Sequence, residues 1–237
     1  MAEKSPAFAT QLIHAGQKPD PTELSRGVAI HRTTSFVFKN TEHASNLFAL
    51  KELGNIYTRL GNPTTAILED RITALEGGAA SVAVASGTSA IFYAAITIAK
   101  QGDHIVSAPN LYGGTYTQFS AILPDFGITT SFADARDPSS FEKAIRPNTK
   151  MIFCEVIGNP ALDVIDLDAL SAIAKKHKLP LVVDATFSTP ALLRTIEHGA
   201  NIVINSLTKW IGGHGTAIGG IVTDAGNFDW KDPKFEL

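Results

Sequence analysis

Ser206, Thr208 and Lys209 crowd into four residues after the apolar run Ile202-Val203-Ile204, and Gly212-Gly213-His214-Gly215 follows. A lysine delivered by a strand to such a place is a phosphate-binding point charge, an amine that attacks a carbonyl, or a plain surface lysine. Asp184 closes a second apolar run, Leu181-Val182-Val183, with Thr186 two residues on. An ionised carboxylate there needs a cationic partner, or else serves as a structural acid for backbone N–H groups. Ser86-Gly87-Thr88-Ser89 joins the small-residue run 80–85 to an apolar helical stretch. Strand, glycine turn and helix is a geometry whose backbone N–H groups hold phosphate. The turn matches neither the dinucleotide nor the Walker pattern, and a tight connection alone has the same sequence. Asn110 with Tyr112, and Glu155 with Asn159, follow two further apolar runs.

These residues need a scaffold, and from residue 62 onward the pattern supplies one. A helix is expected at 62–76, with Asn62 as cap, Pro63 in its first turn and Gly77-Gly78 at its end. Strands are expected at 80–85, 104–108, 128–133, 150–157, 179–183, 202–205 and 218–223, the first of them buried on both sides. Helices are expected at 90–99, 112–123, 139–145, 166–177 and 191–198. Nearly all-apolar strands alternating with helices indicate an α/β domain with a mostly parallel, buried sheet. Ligands of such sheets bind beyond the carboxyl ends of the strands.

Residues 1–60 read differently. Prolines at 6, 19 and 21 and sparse apolar periodicity suggest an extended arm with one short helix at 42–53. Such an arm lies on the main domain or on a second subunit. Within it Tyr57 and Arg59 are two apart, which puts them on one side of an extended segment. They either grip an anion together or form a solvated arginine beside a packed tyrosine.

Bulk properties narrow the function. The 237 residues are 44% hydrophobic and 18% charged, with a net charge of -3. That is globular composition, and it does not favour a nucleic-acid or anionic-membrane surface. One cysteine, Cys154, excludes an intrachain disulfide and a Cys-rich metal site; it suits a buried apolar position and a reducing cytoplasm. No metal site is expected. Residues 1–6 lead into no apolar run, so no signal peptide is expected.

One compact ligand uses the whole polar set. Pyridoxal phosphate (PLP) has an anionic phosphate, a flat ring to stack, a ring nitrogen that stays protonated and an aldehyde that condenses with an amine. The sequence resembles the Cys/Met-metabolism family of PLP-dependent enzymes, and within it the O-acetylhomoserine sulfhydrylase branch. The resemblance runs from Thr10-Gln11-Leu12-Ile13-His14-Ala15-Gly16 through Tyr57-Thr58-Arg59 and Asn62-Pro63-Thr64 to the end. It is most specific in Val183-Asp184-Ala185-Thr186, Ser206-Leu207-Thr208-Lys209 and Ile211-Gly212-Gly213-His214-Gly215. Ser89 departs from it, standing where many relatives have alanine.

The resemblance implies fold type I, a three-layer α/β/α domain with a mostly parallel, mixed sheet at 61–237. Residues 1–60 would be an arm packed on a neighbouring subunit. Lys209 would carry the cofactor as an imine, Asp184 would pair with the pyridinium nitrogen, and Tyr112 would stack on the ring. Tyr112 would also be an acid/base candidate, with stacking alone as the alternative. Gly87, Thr88, Ser206 and Thr208 would hold the phosphate, and Tyr57 and Arg59 would reach that of the neighbouring subunit in a homotetramer of catalytic dimers. Asn159 would sit near the 3-oxygen and Thr186 near the ring. The implied reaction is γ-replacement on O-acetylhomoserine by sulfide or a small thiol, giving homocysteine. Cystathionine γ-synthase, O-succinylhomoserine sulfhydrylase and methionine γ-lyase share the motifs. Family members are longer, so the rest of the large domain, the C-terminal domain and its substrate-binding arginine are expected outside this chain, with a separate segment supplying them as one alternative. The second reading is a cofactor-binding fragment that does not turn over.

Overall fold

The computed structural model describes residues 6–235; residues 1–5, where the expected arm begins, and 236–237 lie outside the described residues. The chain divides into two compact units, Met1–Ala74 and Leu75–Leu237.

The first unit holds more helix than its prolines suggest. Helix α1 (Phe8–His14) was not foreseen in the sequence. Helix α2 (Thr41–Phe48) opens on Asn40, whose side chain accepts the His43 N–H. It stops short of residue 53 because Leu50 is left-handed, with φ of 54°. Residues 35 and 57 form an antiparallel bridge, so Tyr57 does lie in extended backbone. Helix α3 (Pro63–Glu76) starts and ends as its cap residues demand, with Gly77 at a φ of 76° just beyond it.

The second unit is built on a seven-stranded sheet. Its strands are β1 (Ala80–Val84), β2 (His104–Ser107), β3 (Thr129–Phe132), β4 (Thr149–Glu155), β5 (Leu181–Asp184), β6 (Ile202–Asn205) and β7 (Gly220–Asp224), in the order β1-β7-β6-β5-β4-β2-β3. Pairs among β2 to β6 are parallel, while β7 is antiparallel to both β1 and β6. In β2, β5 and β6 every residue is buried, although neighbours face opposite ways. Both sheet faces are therefore covered, and the layers are α/β/α. Helix α4 (Gly87–Ile98) packs on β1, β6 and β7; α7 (Pro138–Ala144) packs on β2 and β3; α8 (Leu167–Lys176) packs on β5.

Four expectations for this unit are corrected. Strand β1 is not buried on both sides: it is an edge strand, and Val82 is 60% exposed. The span 112–123 is α5 (Gly113–Thr117), a π-helical turn (Gln118–Ile122) and α6 (Leu123–Asp125), because Pro124 has no N–H for the carbonyl four residues back. The span 191–198 is α9 (Thr189–Leu192) and a 3-10 turn (Thr195–His198); extended Leu193 and Arg194 break it and carry Thr195 into the interior. Arg194 is thus not on a helix, and its guanidinium is 3.4 Å from Glu197. The last strand starts at Gly220, which leaves Ile218 exposed in the preceding loop. Cys154 is buried, and burial pushes its thiol well up, as an inert apolar residue requires. No described helix is long and apolar enough to cross a membrane.

Candidate active site

Parallel strands with the same polarity deliver their last residues to one edge of the sheet. At that edge of the second unit lies a cavity of about 640 Å³. Gly87, Thr88, Tyr112, Asn159, Asp184, Thr186, Ser206, Thr208 and Lys209 all line it. Tyr57 and Arg59 belong to the first unit and are not among the described lining residues. The Arg59 guanidinium lies 5.3 Å from the Tyr57 ring centroid, so the two do share a side.

The wall that resembles a phosphate site is made by two close backbone approaches. Ser86 caps α4, its side chain accepting the Ser89 N–H at 3.1 Å, while the two hydroxyls lie 2.9 Å apart. Serine at 89 therefore adds a second hydroxyl to the cap. The first N–H groups of α4 point beyond the helix, with its positive dipole end. Opposite them the loop after β6 is braced from both sides. The Ser206 N–H donates to Thr186 Oγ1 at 2.7 Å, and the Gly219 N–H donates to Thr208 Oγ1 at 3.1 Å. A Cβ on Gly87 would meet the Ser206 Cβ at 2.5 Å, so only glycine lets the two halves close.

Lys209 follows in a tight turn, its N–H on the Ser206 carbonyl and its own carbonyl accepting the Gly213 N–H. Lys209 itself is exposed. Asp184 is 8% exposed and accepts the Thr186 N–H at 2.9 Å. Burial raises its carboxyl above the usual range, and among the described residues no cation pairs with it. A buried acid without a counter-ion, facing a cavity with a lysine and a helix N-terminus, fits PLP: a protonated ring nitrogen supplies the missing charge.

Tyr112 is half exposed, at the start of α5. Its ring lies where a Cβ on Gly114 would stand 2.7 Å from its Cε1, so that glycine admits this ring position. Asn159 is exposed, its N–H on the Asn110 carbonyl. The preceding Gly158 N–H is held by the Asp163 carbonyl at 2.8 Å. Sequence reasoning gave no role to Glu155, Phe187, Trp210 or Ile218, which also line the cavity. Glu155 carried a signal, since it closes an apolar strand as Asp184 does. The three apolar residues carried none.

Behind the site, the fully buried Glu76 accepts the Asn205 side-chain N–H at 2.8 Å, one residue before Ser206. Its other oxygen has no partner, so the charged form is disfavoured. Burial pushes the carboxyl up to about 7. The folded chain then holds a proton that the unfolded chain has released, and stability falls as pH rises from roughly 4.5 to 7. The loss is on the order of 3 kcal/mol. Glu76→Gln stays neutral and removes this component of the pH slope. Urea midpoints of the two proteins across that range test it, and parallel curves refute it.

A family model described as "Cys/Met metabolism PLP-dependent enzyme" matches residues 9–236. The O-acetyl-L-homoserine sulfhydrylase of Leptospira meyeri is 50% identical over 96% of this chain and 51% of its own length. The homocysteine synthase of Schizosaccharomyces pombe is 50% identical over 98% of this chain and 54% of its own. A crystal structure of a putative O-acetylhomoserine (thiol)-lyase from Campylobacter jejuni, containing N'-pyridoxyl-lysine-5'-monophosphate, superposes with a TM-score of 0.91 at 40% identity. It is matched over 94% of this chain and 55% of that one. The chain spans about half the length of the relatives it matches.

Proposed function

The chain belongs to the Cys/Met metabolism family of PLP-dependent enzymes, and from that premise we propose that the whole protein makes homocysteine by γ-replacement on O-acetylhomoserine with sulfide or a small thiol. The observation that carries the proposal is the convergence of Lys209, the unpaired Asp184 and the N-terminus of α4 on one cavity. The names of the relatives at 50% identity support the choice of substrate.

When bound, PLP supplies an electron sink for the α-carbon of an amino acid. Lys209 would hold the cofactor through its amine, and the same amine would be the base that moves protons at the substrate's α- and β-carbons. Asp184 stays ionised and keeps the ring nitrogen protonated. The α4 N-terminus with Gly87, Thr88, Ser206 and Thr208 holds the phosphate. Tyr112, which lines the cavity, would stack on the ring and serve as the acid/base for the leaving group. Thr186 and Asn159, which line the same cavity, would hold the ring and its 3-oxygen. Residues 1–60 act as an arm, and Tyr57 and Arg59 bind the phosphate of a second copy within a homotetramer. A purely monomeric protein in sedimentation at micromolar concentration overturns that last part.

The test has two readouts. The chain with PLP gains an absorbance band near 420 nm that borohydride removes; no band refutes cofactor capture. The whole protein forms homocysteine from O-acetylhomoserine and sulfide faster than cystathionine from O-succinylhomoserine and cysteine. The reverse preference refutes the substrate assignment and leaves the cofactor standing.

A further inference from the structure

Glu155 ends β4 and Asp184 ends β5, and the two are direct partners in the parallel register. Partnered residues face the same side of a sheet. Both side chains accordingly line the one cavity, and both are nearly buried, at 9% and 8% exposure. One Glu155 oxygen accepts the backbone N–H of Tyr112 at 2.6 Å. That bond crosses from the end of β4 to the residue that opens α5, so it fixes the backbone from which the Tyr112 ring hangs. Two ionised carboxyls at this place would repel each other with no described cation between them.

We infer that Glu155 is a positioning residue: it keeps a proton beside Asp184, anchors the Tyr112 backbone, and leaves Asp184 as the single negative charge on the cavity floor. The inference rests on the cofactor reading above only for what the anchored ring then covers.

The surroundings agree with that division. Burial first, and the Asp184 charge second, push the Glu155 carboxyl up to about 8, against the lowering effect of the Tyr112 N–H. Besides Asp184 on β5, the titratable groups facing this end of the cavity are Lys209 after β6 and the Tyr112 phenol. Cys154 is the preceding residue on β4 itself and faces the other side. Asp163, beyond β4, is engaged by Asn110 and Arg136. A cationic ring nitrogen at Asp184 favours ionisation of that acid and so leaves the proton on Glu155.

The proposal can be tested without cofactor, by amide NMR of the chain. In the wild type the Tyr112 amide proton shifts with pH at a midpoint above about 6, well outside the ordinary carboxylate range. In Glu155→Gln that titration vanishes while the amide stays protected, since the side-chain carbonyl still accepts its N–H. In Glu155→Leu hydrogen exchange at Tyr112 quickens at least tenfold. If the leucine variant does not fold, the wild-type and glutamine titrations decide alone. A Tyr112 amide that titrates only below pH 5, or titrates alike in wild type and Glu155→Gln, overturns the proposal. Visible circular dichroism after PLP addition then separates the two levels. Glu155→Leu with an unchanged signal counts against the anchor, whereas no signal from the wild type counts against the cofactor reading.

Discussion

Lys209→Ala abolishes the covalent, borohydride-fixable capture of PLP by this chain. Lys209 is the one lysine among the described residues that line the cavity, and an imine needs a primary amine with a lone pair. Lys150, for one, is engaged elsewhere, contacting Asp103 and the Lys234 carbonyl. The remainder of the site survives the substitution. Thr186 holds the Ser206 N–H, Thr208 holds the Gly219 N–H and Ser86 caps α4, all through bonds that do not involve the lysine side chain. The variant should therefore still bind the cofactor, loosely and reversibly, with the absorbance of a free aldehyde near 390 nm. Lys209→Arg restores the charge and not the chemistry, because a guanidinium stays protonated. Activity of the whole protein falls by a factor on the order of 10⁴ or more in both variants. Mass analysis after borohydride treatment is the measurement. Equal labelling of wild type and Lys209→Ala would falsify the assignment of the attacking amine.

The sequence was legible where one residue's chemistry and one strand's composition were enough. Val182-Val183-Asp184 is a buried strand with an acid at its end, and nothing outside those residues is needed to see it. The same holds for Ile202-Val203-Ile204 ahead of Lys209, and parallel pairing then brings both ends to one edge. What stayed hidden depends on partners far along the chain. The exposure of Val82 follows from β1 lying at the sheet edge, a fact of strand order. The break at Leu193 reflects the burial of Thr195, which helical spacing does not reveal. Glu155 was visible as a strand-end acid, but its bond to the Tyr112 N–H spans 43 residues. Glycines divided: Gly77 was readable as a helix end, whereas Gly114 and Gly220 carried no such signal. Gly114 makes room for a ring, and Gly220 lets two backbones touch.

That last contact carries the second large effect: Gly220→Ala breaks the phosphate wall and costs about 3 kcal/mol or more. Gly220 opens β7 and pairs with Val84, the last residue of β1. A Cβ there would stand 2.1 Å from the Ser86 carbonyl oxygen, 2.3 Å from its carbon and 2.7 Å from the Gly87 nitrogen. All three are backbone atoms, so no side chain can swing aside. Ser86 also cannot retreat freely, because its carbonyl accepts the Ala90 N–H at 3.0 Å and its hydroxyl caps the helix. Relief must come from moving the start of α4 or from shifting β7, which sits between β1 and β6. The first displaces the N–H groups proposed to hold the phosphate; the second pulls on Gly219, whose N–H is bound to Thr208. Either route couples a stability loss to weaker cofactor binding. Gly113→Ala is the control, since a Cβ there meets nothing within 4 Å. It should change stability by less than about 1 kcal/mol. Urea midpoints and PLP titrations of the two variants make the comparison. A Gly220→Ala protein that matches the wild type in both would mean that the strand and the helix cap are free to part, and the phosphate wall would then owe nothing to their contact.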